Sequence, residues 1–169
     1  MIIAALDLAS QTGVAIGEPG CRPILFTEKF TGGHGERFAE SQEMAARIIR
    51  QYKPALIVIE APLKLPRTSA DVELVLMGLR ACVLAVAYRK RVATEMHAVQ
   101  TIRKHFIGTA RLKRKAAKAA TIARCKQLGW KPKNDDEADA GALWDLACSM
   151  TSRSHSLSRT PLFGNKNDR

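Results

Sequence analysis

The chain has 169 residues, 46% hydrophobic and 25% charged, with 27 lysines and arginines against 16 acids and a net charge of +11. That length suits one globular domain, and no apolar run approaches the about 18 residues of a membrane-spanning helix, so a transmembrane protein is excluded. The basic excess points to a polyanionic partner.

Residues 2–7 are apolar and end at Asp7, with no basic leader before them, which predicts a buried strand rather than a signal peptide. Residues 13–17 follow after the turn Ala9-Ser10-Gln11-Thr12, so the two segments form a hairpin. The turn residues Ser10 and Thr12 are read as closing the turn, with a phosphate contact as the alternative. Residues 22–30 alternate, with Ile24, Phe26 and Glu28 on one face, and make a third strand that stops at Thr31-Gly32-Gly33-His34-Gly35. The period then changes from 2 to 3.6: Phe38, Ala45, Ile48, Ile49 and Tyr52 predict a helix over 36–52, halted at Lys53-Pro54. Residues 55–60 are five consecutive apolar side chains ending at Glu60, the pattern of a strand covered on both faces. Ser69 is a candidate N-cap for a helix reaching Tyr88, with Val72, Val75, Leu76, Leu79, Val83 and Val86 as its apolar stripe. A short fifth strand over 91–96, a helical turn at 102–106, a basic helix over 112–128 and a last helix over 136–150 complete the order.

Three strands followed by alternating helices and strands give an α/β fold, a mixed five-stranded sheet flanked by helices. The right-handed crossover rule sets the strands of Leu6 and Ile57 side by side and parallel, with their carboxyl ends on one edge. Residues 1–150 are read as the domain, and residues 151–169, rich in Ser, Arg and Asn, as a disordered polar tail. Cys21, Cys82, Cys125 and Cys148 form no CxxC pair, and His34, His97, His105 and His155 have no ligand spacing with them. Free thiols, a cytoplasmic location and no structural zinc are the expectations.

Residues 101–130 hold nine basic side chains and no acid, which is +9 of the net +11. A merely solvated helix face would mix Glu with Lys, so this patch is read as a nucleic-acid contact. Asp7 and Glu60 each end an apolar strand, where an unpaired charge is costly and needs a counter-ion. A third cluster, Asp135-Asp136-Glu137-Ala138-Asp139, opens the last helix. Asp135 and Glu137 fit helix N-terminal acids that complement the macrodipole. Asp136 and Asp139, three apart, share the face of Leu143 and point inward. Convergent carboxylates without a Cys or His companion are hard oxygen ligands suited to Mg²⁺, with Mn²⁺ as a substitute. Two such ions are suited to phosphodiester hydrolysis.

The segments Leu6-Asp7-Leu8-Ala9-Ser10-Gln11-Thr12-Gly13, Ile57-Val58-Ile59-Glu60-Ala61-Pro62 and Asp135-Asp136-Glu137-Ala138-Asp139-Ala140 resemble, in order, those of the RuvC-like Holliday junction resolvases of the ribonuclease H-like superfamily, especially short phage and prophage members. Val99 to Gly108, with Arg103-Lys104-His105-Phe106, resembles the segment before the basic helix in that family. The resemblance implies a homodimer that nicks the two symmetric strands of a four-way junction, in a bacterial cell or a phage-infected host. It implies two metal ions per active site, held by Asp7, Glu60, Asp136 and Asp139 as the catalytic and metal-binding set. Arg103, Lys104, Lys113, Arg114, Lys115 and Lys118 are the implied DNA contacts, Lys118 with Arg114 or Lys115 lying nearest the scissile backbone. The family's aromatic wedge after the fourth strand is replaced here by Leu63-Lys64-Leu65-Pro66-Arg67-Thr68, which leaves room for other branched DNA. A ribonuclease H acting on hybrids and a non-catalytic branched-DNA-binding module remain as alternatives on the same fold.

Overall fold

Strand β1 (Ile3–Asp7) occupies the middle of the sheet, and its first four side chains are fully buried, which is why its sequence is apolar without alternation. A computed structural model describes residues 1–62 and 69–159. On one side β1 pairs antiparallel with β2 (Gln11–Gly17), which pairs antiparallel with β3 (Ile24–Lys29). On the other side it pairs parallel with β4 (Leu56–Glu60), and β5 (Ala93–His97) lies parallel beyond β4. The order is β3-β2-β1-β4-β5, the mixed five-stranded α/β sheet predicted from the element order. Ala4 stands opposite Ile57 and Leu6 opposite Ile59, so Asp7 and Glu60 leave the sheet at one edge.

Alternate strand residues face opposite cores. Ala4, Leu6, Val14, Ile16, Ile57 and Ile59 pack beneath α1 (His34–Tyr52) and α2 (Ala70–Arg89), against Met44, Ile48, Leu79 and Val83. Ile3, Ala5, Ala15, Leu56 and Val58 face α3 (Val99–Ile107), α4 (Arg114–Gln127) and α5 (Asp135–Thr151), against Phe106, Leu143 and Trp144. Ser69 does cap α2, accepting from the Val72 amide at 3.4 Å. The apolar stripe is corrected at its first member: Val72 is exposed, and the buried side of α2 begins at Val75. Among the described residues, no helix is long and apolar enough to cross a membrane.

Two further expectations change. The single turn around Ile102 is a helix of nine residues, because Ile102 and Phe106, four apart, both bury against the α5 side of the core. The tail expected over 151–169 is corrected in its first part: α5 runs to Thr151 and a short helix α6 (Arg153–Arg159) follows, with His155 buried against Trp144. The remainder of that segment, residues 160–169, and the loop 63–68 lie outside the described residues.

Candidate active site and metal centre

Asn134 accepts from the Glu137 amide at 2.9 Å and so starts α5 as its N-cap. Gly13, opposite Asp7 in the β1–β2 register, allows that helix start to reach the sheet edge: a Cβ there would lie 1.9 Å from the Asp136 carbonyl oxygen. This close approach brings the third acidic segment to the edge already occupied by Asp7 and Glu60. Asp7, Glu60, Asp136 and Asp139 line one pocket of about 420 Å³.

The two acids explained by the macrodipole do have local partners. Asp135 forms an ion pair with Lys118, and Glu137 is buried, accepting from the Lys133 amide at 2.8 Å and the Thr27 hydroxyl at 3.2 Å. The turn reading of Thr12 also holds, since its hydroxyl donates to the Ala9 carbonyl at 2.7 Å and is buried. Ser10 accepts from Arg37 at 3.4 Å.

The carboxylates at the edge are buried close to one another. Burial first, then the charges of Glu60, Asp139 and Asp136, push the Asp7 carboxyl up to about 8. Burial raises Glu60, and Asp139 adds to the effect while Arg80 opposes it. Asp139 is raised to about 6 by burial, against the pull of Lys118 and Arg103. The Lys118 hydrogen bond keeps Asp135 below the usual carboxylate range. Apolar surroundings and mutual repulsion thus disfavour full ionisation of the cluster without a cation.

Among the described residues no three His, Cys, Asp or Glu side chains converge tightly enough to ligate one ion as they stand, and Asp136 turns a carboxylate oxygen to the Gln11 side-chain amide. The donor chemistry fits a divalent metal: among the described residues, the four acidic side chains lining the pocket are hard oxygen ligands, with no thiol or imidazole beside them.

Of the six basic residues singled out, Arg103, Arg114 and Lys118 line the pocket. Lys104, Lys113 and Lys115 are exposed and lie outside it. Leu76, Val99, Ile102 and Phe106 supply its apolar wall. Carboxylates beside arginine and lysine have the chemistry to bring a divalent cation and a phosphodiester together.

Sequence reasoning missed three participants. Arg80 lines the pocket from within α2, and its signal was a lone charge four residues after Leu76 on the inward face. Gln11, in the turn segment, holds Asp136. Asp145 accepts from His105 at 3.0 Å and His155 at 3.1 Å, joining α3, α5 and α6 behind the pocket; the separations of 40 and 10 residues gave no local signal.

No family model matches the chain, and no curated protein sequence matches it. Solved structures do. RuvC of Thermus thermophilus superposes with a TM-score of 0.67 at 14% identity, over 89% of this chain and 96% of that one. The same organism's RuvC in complex with Holliday junction substrate gives 0.70 at 15% identity, over 96% of this chain and 99% of that one. The yeast mitochondrial Holliday junction resolvase Ydc2 gives 0.61 at 10% identity, over 91% and 82%. At these identities the likeness is one of fold, and the chain has the RuvC-like form of the ribonuclease H-like fold.

Proposed function

We propose that this chain is a divalent-metal-dependent endodeoxyribonuclease that resolves four-way DNA junctions, and that it also accepts other branched DNA. The observation that carries the reading is the pocket itself: four carboxylates from three separated elements, rimmed by Arg103, Arg114 and Lys118, at the carboxyl edge of β1 and β4. The fold shared with resolvases, over nearly the whole chain, supports it.

In this reading Asp7, Glu60, Asp136 and Asp139 hold two Mg²⁺ ions, or Mn²⁺ in their place. When bound, such ions supply a water nucleophile at neutral pH and stabilise charge on the leaving oxygen. Hydrolysis adds water across one phosphorus–oxygen bond and leaves a phosphomonoester and a hydroxyl. Arg103 and Arg114 hold the phosphate anion and oppose charge growing on its oxygens. Lys118 is held in place by its ion pair with Asp135, so its ammonium meets the DNA without first being ordered. The exposed Lys104, Lys113 and Lys115 extend this positive surface along the DNA arms.

Paired incision calls for a homodimer, since the four-way junction presents two equivalent strands. The flank of α2 that carries Leu74 and Met77, 53% and 54% exposed, offers an apolar contact for the second copy. A cytoplasmic location is proposed with it. The test is cleavage of labelled four-way junction, flap, duplex and RNA–DNA hybrid in parallel, with Mg²⁺, Mn²⁺ or EDTA. Metal-dependent cutting of the junction in preference to duplex and hybrid is the expected result; preferential hybrid cutting would replace this reading with a ribonuclease H, and binding without cutting would replace it with a non-catalytic module.

A further inference from the structure

Among the described residues, Arg80 is the only buried lysine or arginine, at 7% exposure. Burying a guanidinium is expensive unless its donors are used and its charge is answered. Two of its N–H groups go to main-chain carbonyls: Nη1 to Leu76 one turn earlier in α2 at 2.8 Å, and Nε across to Glu60 at the end of β4 at 3.1 Å. Its charge is answered by Glu60 and, less strongly, by Asp7. Glu60 is also the last residue of β4. The following amide, on Ala61, is taken by the His97 carbonyl of β5 at 2.9 Å. The β5 side thus holds the amide that follows Glu60, and Arg80 adds a tie from α2 to the Glu60 carbonyl itself.

We propose that Arg80 is a positioning residue of the carboxylate centre, its guanidinium tying the Glu60 main chain to α2 and so setting the direction in which the Glu60 carboxylate enters the pocket. The inference rests on the nuclease reading above. A fork is needed for this, because the two carbonyls belong to different elements and are taken by two different nitrogens of the guanidinium. Lysine keeps the charge but lacks the rigid planar donor array. The contact is to the carbonyl of a candidate metal ligand, so its loss acts on metal binding and turnover before it acts on DNA affinity.

The experiment compares wild type, Arg80→Lys and Arg80→Met, reading Mn²⁺ binding to the protein alone by electron paramagnetic resonance, then kcat and KM on a labelled junction. Both variants should weaken Mn²⁺ binding and lower kcat by about 10- to 100-fold, as removal of outer-shell partners does elsewhere, with KM for DNA unchanged within about threefold. Wild-type Mn²⁺ affinity and kcat in Arg80→Met would overturn the proposal, and so would full rescue by Arg80→Lys, which would reduce the role to charge alone. A change confined to KM would make Arg80 a phosphate contact instead. If Arg80→Met does not fold, Arg80→Lys carries the test, and failure of both to fold overturns the proposal in favour of a purely architectural arginine. Wild-type protein that neither binds Mn²⁺ nor cuts DNA would refute the nuclease reading itself, a result distinct from unaltered variants of an active enzyme.

Discussion

Replacing Asp145 by asparagine removes one charge while keeping the side chain's shape, and it tests what anchors the wall of the site. The two carboxylate oxygens accept from Nε2 of His105 and Nε2 of His155. Nδ1 of His155 accepts from the Gly20 amide at 2.9 Å, so the proton of the neutral ring sits on Nε2, facing the carboxylate. Burial acts to raise Asp145, but the hydrogen bonds from His105 and His155 outweigh it and leave the group at about 2, against an ordinary 3.8. At 1.36 kcal/mol per pH unit, the shift corresponds to about 2–3 kcal/mol. The folded value lies below the unfolded one, so this stability is complete above about pH 5 and is lost as pH falls from about 4 through 2. Asparagine can offer one oxygen; its amide group then faces a ring N–H, or a ring must change tautomer, which for His155 forfeits Gly20. Asp145→Asn should therefore lower Tm at pH 7 by about 4–12 °C. In paired thermal melts the gap between wild type and variant should narrow on going from pH 5 to pH 3. Equal Tm at pH 7, or a gap that stays constant down to pH 3, would refute the reasoning.

Three other outcomes follow from the site and its surroundings. Asp7→Asn should abolish junction cleavage while junction binding is retained or tightened, since one carboxylate ligand and one repulsive charge are removed together; cleavage and gel-shift assays in Mg²⁺ and in EDTA check this, and full cutting by the variant refutes it. Changing Lys113, Arg114, Lys115 and Lys118 together to Gln should weaken binding to all DNA substrates and flatten the slope of log K against log salt by about 0.9 for each duplex phosphate that the protein no longer neutralises, whereas an unchanged slope would leave the patch a solvated face. Leu74→Glu, on the exposed flank of α2, should give a folded monomer that loses paired incision, as read by sedimentation and product analysis; a wild-type monomer both free and on the junction would remove the dimer from the reading.

Much of the scaffold could be read from local pattern, because each element's neighbours in sequence are also its determinants. The unbroken apolar runs of β1 and β4 mark strands buried on both faces, and the crossover between them sets them parallel. Asp7 and Glu60 stood out as charges that end such runs, and Asp139 as an acid on an apolar helix face. Composition was a weaker guide at the C-terminal end. The segment around His155 is polar, yet one histidine bonded to Asp145 and Gly20 is buried there, and no tally of polar residues reveals that pair of contacts.

Hydrophobic period, capping and local charge are enough to give the order of elements, the strand ends that carry Asp7 and Glu60, the acidic start of α5 and the basic stretch beside it. It took the folded chain to reveal that Gly13 lets α5 close on the sheet, that Gln11 meets Asp136 across 125 residues, and that Arg80 turns inward to the Glu60 carbonyl. Periodicity identifies which face of an element is buried. It does not identify which distant polar group waits there, and the partners of a buried charge are chosen by three-dimensional proximity.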